Sequence, residues 1–335
     1  MDLTSAAAPP QQEGVAQGDD ETEEKTKPLG RLLEDGTGAL PDGTTWTKTS
    51  GTEMGANGYM KTWHLLSGQT ADGVVFEDCW WEASDWAGYK ELGATKTGYR
   101  IGTQGSVTDR WNETWREFMA MENHVPMVER SAHKVASNAS GEAWEEKWNE
   151  KYRADGQVNR QADKWGKKGE DVWHARWGED YTGKGTDHCV KWTDQWNEKE
   201  ISPGVWQRWG DKWEEHFHAG KGEKRGETWS QAPDGGSYNK WWGEDHLGHG
   251  QVRKTGHSTS GEHWDVVEHM DTYYNPLPNM DYQQAVHHSP NLRNVKVRSR
   301  ETLREHKKND HKSHRQPQDG GSTSSPTISG GLEDF

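Results

Sequence analysis

Acidic side chains stand beside tryptophans along the middle of the sequence, for example Glu145, Glu179, Asp211 and Glu244. Two carboxyls held about 5–9.5 Å apart around a glycosidic bond, one of them with a raised pKa, could hydrolyse a polysaccharide. With 55 Asp and Glu in the chain, neighbouring acids are also expected by chance. A glycoside hydrolase-like enzyme acting on glucans therefore stays an alternative, and we assign no catalytic residue.

The spacing of histidines and cysteines indicates neither a metal-binding site nor a catalytic nucleophile. Zinc sites favour histidines four apart on a helix or paired cysteines, and neither pattern occurs. The only cysteines, Cys79 and Cys189, suit reduced thiols better than a disulfide framework. We predict no cofactor and no metal, although seven histidines cluster between residues 246 and 288: His246, His249, His257, His263, His269, His287 and His288.

Aromatic residues form the dominant pattern of the chain. It contains 21 Trp but only 4 Phe, and 29% hydrophobic residues overall, too few for a large aliphatic core. The unit W-x3-W-x3-(Y/F), as in "WEEKWNEKY" at 144–152, recurs with an irregular period, so the chain is not a strict solenoid. Its members are Trp111 and Trp115; Trp144, Trp148 and Tyr152; Trp173, Trp177 and Tyr181; Trp192 and Trp196; and Trp209, Trp213 and Phe217.

A spacing of four places side chains on one face of either a helix or a strand. The residues between the aromatics favour helix by propensity. Turn sequences at intervals of roughly ten residues favour strands, and the adjacent pairs Trp80–Trp81 and Trp241–Trp242 would place aromatics on both faces of a sheet. The sequence therefore predicts an all-β protein: a single extended antiparallel sheet, a meander, with aromatic rows on both faces and little conventional core.

Such a sheet would display its tryptophans in rows. Four residues of strand span about 13.6 Å, so matching positions on successive strands would form rows about 14 Å apart. Indole faces suit the CH faces of sugar rings, and neighbouring acids and amides could bond the hydroxyl groups. Nucleic acid bases also stack on aromatics, but they need a basic groove, and 55 acids against 40 bases oppose polyanions. A neutral polysaccharide is the expected partner, and nucleic acid is not.

The ends of the chain differ in composition from its middle. Residues 1–40 and 297–335 are predicted to be disordered tails, flanking a tryptophan-rich domain at 41–296. The basic part of the second tail leaves open an interaction scaffold for nucleic acid or protein. No apolar run reaches the roughly 20 residues of a membrane span. The first residues match neither a secretion signal nor a transit peptide, so a chain that is complete at this end would be cytosolic.

Residues 45–296 resemble the plant and algal Early Starvation proteins. The resemblance rests on "WEEKWNEKY", "WHARWGEDY" and "RWGDKWEEHF", and on "STSGEHWD" at 258–265 and "NLRNV" at 291–295. It implies an extended antiparallel sheet with lines of aromatics on both sides. It also implies non-catalytic binding of starch glucans, especially amylopectin double helices, with amylose left open. Such a protein would align glucans in starch granules, restrain their degradation, and lie in the plastid stroma or at the granule surface or matrix.

The glucan-binding residues follow from the aromatic pattern together with this resemblance. Trp46, Trp63, Trp80, Trp81 and Trp86 lie in a more divergent half and receive no assigned role. Protein partners are not predicted. The assigned residues are Trp111, Trp115, Trp144, Trp148, Tyr152, Trp165, Trp173, Trp177, Tyr181, Trp192, Trp196, Trp206, Trp209, Trp213, Phe217, Trp229, Trp241, Trp242 and Trp264.

Overall fold

The computed structural model describes residues 33–102, 104–183, 188–247, 249–270 and 277–299. Most of the two predicted tails, residues 1–32 and 300–335, lies outside these ranges. Within the predicted first tail, Gly36–Ala39 forms a strand. The sheet thus begins before residue 41, because this short glycine-containing segment pairs with the strand that follows it.

The described chain is one antiparallel sheet of 16 strands in sequential order, which confirms the predicted meander. A 3₁₀ turn, Ala56–Gly58, lies between the second and third strands. The strands are β1 (Gly36–Ala39), β2 (Thr45–Met54), β3 (Met60–Gln69), β4 (Val74–Ser84), β5 (Lys90–Ile101), β6 (Val107–Glu122), β7 (Val125–Asn138), β8 (Ala143–Arg153), β9 (Gln157–Lys168), β10 (Asp171–Thr182), β11 (Cys189–Ser202), β12 (Val205–His218), β13 (Lys221–Gln231), β14 (Ser237–His246), β15 (Gln251–Ser258) and β16 (His263–His269).

Within the described ranges, turns join the strands where the turn sequences predict them, whereas the turn predicted at "TGKG" extends into residues 184–187, outside those ranges. Gly156 in "ADGQ" and Gly235 in "PDGG" have φ angles of 91° and 87°, which side-chain-bearing residues rarely adopt. Because each connection is short, every strand pairs with the next one along the chain, and the sheet grows sideways. Fifteen lateral steps of about 4.8 Å make it about 72 Å wide.

We name the two faces of the sheet A and B according to the side chains of strand β8. Face A carries Trp144 and Trp148, and face B carries Glu145 and Lys147, because side chains alternate along a strand. Residues directly opposite on neighbouring strands share a face, so the pairing register assigns every strand residue to A or B.

The main buried cluster lies at one end of face A, under a C-terminal cover. Two short helices, α1 (Tyr282–His287) and α2 (Pro290–Asn294), belong to residues 277–299, which we call the strap. Ala285 and Leu292 of the strap are fully buried. In the sheet the cluster contains Tyr152, Val158, Tyr181, Cys189 and Phe217, with Met280 and Tyr282 of the strap packed against it.

Three of the residues assigned to glucan binding lie in this core rather than on an open surface. Tyr152, Tyr181 and Phe217, the third members of their repeat units, are buried. They lie near the hairpin turns, where apolar side chains of the strap exclude water from them. The sheet therefore has a local core on face A, at the ends of its central strands. The side chains of these three residues are not accessible to a ligand on the surface.

Polar contacts fix the strap across several strands. Arg130 on β7 donates from Nη2 to the carbonyl of Ala285 at 2.7 Å and to Oγ of Ser289 at 2.7 Å. Ser84 on β4 donates to the carbonyl of Lys296 at 2.8 Å. These bonds hold the strap roughly perpendicular to the strands. Neither strap helix, nor any other helix among the described residues, combines the length and apolar character that a bilayer crossing requires.

Candidate functional site

Face A carries two continuous rows of aromatic side chains that run across the strands. In the first, row a, an aromatic on each even-numbered strand from β2 to β14 is directly opposite a small or short polar residue on the odd-numbered strands. Successive aromatics are two strands apart, about 9.6 Å. Row a consists of Trp46, Phe76, Trp111, Trp144, Trp173, Trp209 and Tyr238.

A second row, row b, runs parallel to row a, four residues further along each strand. It extends from β4 to β16, again on even-numbered strands, so the two rows are about 13.6 Å apart. Row b consists of Trp80, Trp115, Trp148, Trp177, Trp213, Trp242 and Trp264. All 21 tryptophans lie in the described ranges, and none of them is buried.

Glycines opposite the tryptophans leave room for the rings. The indole of Trp46 lies over Gly38, and a Cβ on that glycine would come within 2.7 Å of the ring. The same relationship joins Trp173 to Gly166 in row a, at 2.6 Å. Because these rings rest against bare backbone, they leave their other surface toward solvent. The rows are therefore low and open, with no deep pocket between them.

Charged side chains flank row b on both sides, and on the side of the strap they alternate in sign from β6 to β15. Between rows a and b, Glu146 on β8 pairs with Lys164 on β9 at 2.8 Å. Between row b and the strap, Arg130 pairs with Glu117 at 2.8 Å. That second line reads Glu117, Arg130, Glu150, Arg160, Glu179, Lys191, Glu215, Lys224, Glu244 and Lys254 from β6 to β15. Each ring of row b thus has hydrogen-bond donors and acceptors near it without a large net charge.

Face B also displays aromatics, but in shorter groups. Trp165 on β9, His174 on β10 and Trp196 on β11 are in register, and the rings of His174 and Trp196 are 5.4 Å apart. The line continues through Gly210 to Trp229. Of the assigned residues, face B holds Trp165, Trp192, Trp196, Trp206, Trp229 and Trp241, whereas face A holds Trp111, Trp115, Trp144, Trp148, Trp173, Trp177, Trp209, Trp213, Trp242 and Trp264.

The acids considered for glycoside hydrolysis are not arranged as a pair. Glu145 is on face B, whereas Glu179, Asp211 and Glu244 are on face A. Bonds from Lys147, Trp165 and His133 lower the pKa of Glu145 to about 2, so it cannot serve as a proton donor near neutral pH. The strand spacing puts the Cα atoms of the other three at least about 17 Å apart. A hydrolytic pair needs about 5–9.5 Å between its carboxyls.

The histidines and cysteines do not converge on a site. His246 lies on face A, whereas His257 and His263 are opposite each other on face B. In the ranges that the structure describes, no three His, Cys, Asp or Glu side chains are placed to hold a metal ion. Cys79 and Cys189 lie on opposite faces and are not joined in a disulfide.

Sequence reasoning did not assign several members of the rows. Trp46 and Trp80 lie in the more divergent half and Phe76 and Tyr238 lie outside the tryptophan repeat, yet all four belong to the rows. A spacing of four is visible in the sequence for Phe76 and Trp80 and for Tyr238 and Trp242, as in the assigned pairs. Only the strand register shows that these residues continue rows a and b. The glycine partners were also missed, although alternation of tryptophan-bearing and glycine-bearing segments is visible in the sequence.

Comparison with known proteins finds relatives that share much of this sequence. The chain is 42% identical over 262 residues to a protein of Marchantia polymorpha named "Protein EARLY STARVATION 1, chloroplastic", covering 77% of this chain and 44% of that one. It is 41% identical over 284 residues to the protein of that name from Arabidopsis thaliana, covering 78% and 60%. The chain thus spans about half the length of the curated relatives it matches.

A shorter match joins the chain to "Protein LIKE EARLY STARVATION, chloroplastic" of Arabidopsis thaliana, with 43% identity over 145 residues, or 43% of this chain and 24% of that one. No solved structure matches the chain. The sequence profile of the family described as "Like early starvation, chloroplastic" matches residues 38–281, which include nearly all of the sheet. The chain therefore belongs to the Early Starvation and Like Early Starvation family.

Proposed function

We propose that this protein is a non-catalytic starch-binding protein that holds amylopectin double helices parallel and restrains their degradation. The observation that carries the proposal is the pair of parallel aromatic rows on face A. A glucan lying along row a would meet an aromatic ring about every 9.6 Å across up to seven rings. A second glucan on row b would lie parallel to the first.

The chemistry around the rings suits a neutral, hydroxyl-rich polymer. Alternating carboxylates and cationic side chains beside row b can accept from and donate to sugar hydroxyls. The opposite charges offset each other, so a polyanion gains little attraction from this face. Many weak stacking contacts on one rigid sheet act together, which gives avidity without a deep pocket.

A binding role is better supported than the glucan-active enzyme, which remains the alternative. The named acids on face A are too widely spaced for hydrolysis, and Glu145 stays ionised on the other face. The names of the relatives refer to starvation and the chloroplast, and they mention no reaction. An interaction scaffold for nucleic acid or protein would use the basic tail, whose residues 300–335 lie outside the described ranges.

The plastid is the proposed location, at the surface or in the matrix of the starch granule. The relatives are named chloroplastic, and this favours the plastid over the cytosolic alternative. Amylopectin is the proposed partner, and amylose is to be compared with it in the same binding experiment.

Sedimentation with insoluble starch at low and high salt tests the proposal. We expect the protein to pellet with starch under both conditions, because stacking is less sensitive to screening than charge attraction is. Loss of binding at high salt would refute stacking as its basis. Reducing-sugar release over time, measured in the same tubes, decides between binding and hydrolysis; steady release would favour the enzyme.

A further inference from the structure

The two rows of face A differ in what covers their rings. In row a, no described cation or ring lies over an aromatic, and Trp144 and Trp173 are each 40% exposed. In row b, several rings are covered. The covering groups are Lys48 and His64 at Trp80, Arg160 at Trp177, Lys224 at Trp213 and Trp242, and Lys240 at Trp264.

The cationic side chains over the rings of row b differ in how firmly other contacts hold them. Arg160 is buried and bonded to Glu150 and Glu179, so it is part of the sheet's support. Lys224 is only half-buried. Its ammonium lies 4.0 Å from the ring centroid of Trp213 and 5.7 Å from that of Trp242. It thus lies between two consecutive rings of row b, where a stacked sugar would lie.

Two carboxylates lie near this cation on the neighbouring strands: Glu215, which is buried, and Glu244, whose Oε2 lies 3.4 Å from Nε2 of His246. Lys224 on β13 is directly opposite Glu215 on β12 and Glu244 on β14, all on face A. Nevertheless, Lys224 makes no ion pair within 4.0 Å of any carboxylate that the structure describes. The ammonium thus lies over the indole, with a carboxylate-bearing residue directly opposite Lys224 on each neighbouring strand.

We infer that Lys224 is a displaceable cover that regulates glucan binding on row b. The inference rests on the proposed function. When row b is empty, the ammonium shields Trp213 and Trp242. When a glucan stacks on these rings, the ammonium moves to Glu215 or Glu244, so displacement leaves no unpaired charge. Row a has no such cover and binds first, and row b adds its contacts at the cost of moving Lys224.

The cost of displacement sets the expected size of the effect. A cation over an indole that solvent still reaches is attracted weakly, which corresponds to about a two- to fivefold change in binding. Lys224→Gln removes the competing ammonium, so its affinity for dispersed amylopectin should rise by about that factor. Glu244→Gln removes one alternative partner and should lower the affinity by a smaller factor, because Glu215 remains. These two substitutions thus act in opposite directions.

Binding isotherms on dispersed amylopectin test the inference. In the Lys224→Gln background, Glu244→Gln should have no further effect, and Trp213→Ala should remove the gain. Lys221→Gln is the matched control, because it removes the same charge from the same strand on face B. An unchanged or lowered affinity of Lys224→Gln would overturn the inference, since the ammonium would then be a bystander or a direct contact of the glucan.

Failure of this inference is distinguishable from failure of the proposed function. If row a substitutions weaken binding but Lys224→Gln does not strengthen it, only the regulation of row b is wrong. If the wild-type protein does not bind amylopectin at all, the proposed function is wrong and the inference falls with it.

Discussion

The indole of Trp173 lies over Gly166, its direct partner on the neighbouring strand, and a Cβ on Gly166 would come within 2.6 Å of its Nε1. Gly166 also faces Trp144 from the other side, so this glycine lies between two consecutive rings of row a. The local shape of the row depends on this glycine, because a side chain at residue 166 would have to lift or turn the indole of Trp173.

Gly166→Ala is therefore expected to weaken glucan binding without unfolding the sheet. The added methyl displaces the ring of Trp173, and losing one aromatic contact costs about two- to tenfold in affinity on the scale of aromatic pairs. Binding isotherms on amylopectin measure the effect, and circular dichroism checks the fold. Ala136→Gly, at the equivalent position between Trp111 and Trp144, is the control and should bind like the wild type. Unchanged affinity of Gly166→Ala would contradict the role of the glycines.

The strap should contribute strongly to stability. Leu292 is fully buried against the sheet, so Leu292→Ala is expected to lower the free energy of unfolding by about 2–5 kcal/mol. Val297→Ala, in the same strap but 47% exposed, should change it by less than about 0.5 kcal/mol. Urea unfolding of the three proteins measures both values. Equal stabilities would mean that the strap does not form the core described above.

Because the pKa of Glu145 is lowered in the folded protein, we expect the fold to lose stability in acid. Bonds from Lys147, Trp165 and His133 lower its pKa from 4.5 to about 2 in the folded protein. A lowered pKa stabilises the fold above pH 4.5, and this contribution disappears as the pH falls from 4.5 toward 2. The wild type should therefore lose more stability than Glu145→Gln over this interval, as measured by thermal unfolding at several pH values. Parallel losses in both proteins would show that Glu145 has no such effect.

Because Tyr152 is buried, we expect the stability of the fold to decline at alkaline pH. Burial raises the pKa of Tyr152 well above 10, and the nearby carboxylate of Glu150 adds to this effect. The unfolded chain ionises this phenol near pH 10 while the folded chain keeps it neutral, so its contribution to stability is complete below pH 10 and declines above it.

Tyr152→Phe should flatten this decline when the free energy of unfolding is measured between pH 8 and 11. Tyr99→Phe, on face B at an exposed position, is the comparison and should leave the decline unchanged. A decline of equal slope in all three proteins would exclude Tyr152 as its source.

The sequence predicted the class and topology of the sheet because local features determine both. Turn residues such as Gly156 and Gly235 recur at hairpin spacing, and Trp144 and Trp148 fix one face by their spacing of four. The strap could not be predicted in this way. Its contacts join residues far apart in the chain, such as Arg130 and Ser289, and no local pattern specifies such a contact.

The distribution of site residues over the faces also needed the register. Trp192 and Trp196 look like a further copy of the repeat, yet they lie on the opposite face from Trp173 and Trp177. Since one residue in a connection inverts the faces of the next strand, spacing within a unit says nothing about the face. Tyr152 likewise continues its repeat in sequence, but the strap buries it.

Binding of amylopectin by a protein without the centre of row a tests the central claim most directly. Trp144, Trp173 and Trp209 are neighbouring exposed members of that row, and Trp86, an exposed indole in the loop between β4 and β5, serves as the control. The triple variant Trp144→Ala/Trp173→Ala/Trp209→Ala should bind at least about tenfold more weakly than the wild type, while Trp86→Ala binds normally. A folded triple variant with wild-type affinity would contradict a glucan-binding row on this face.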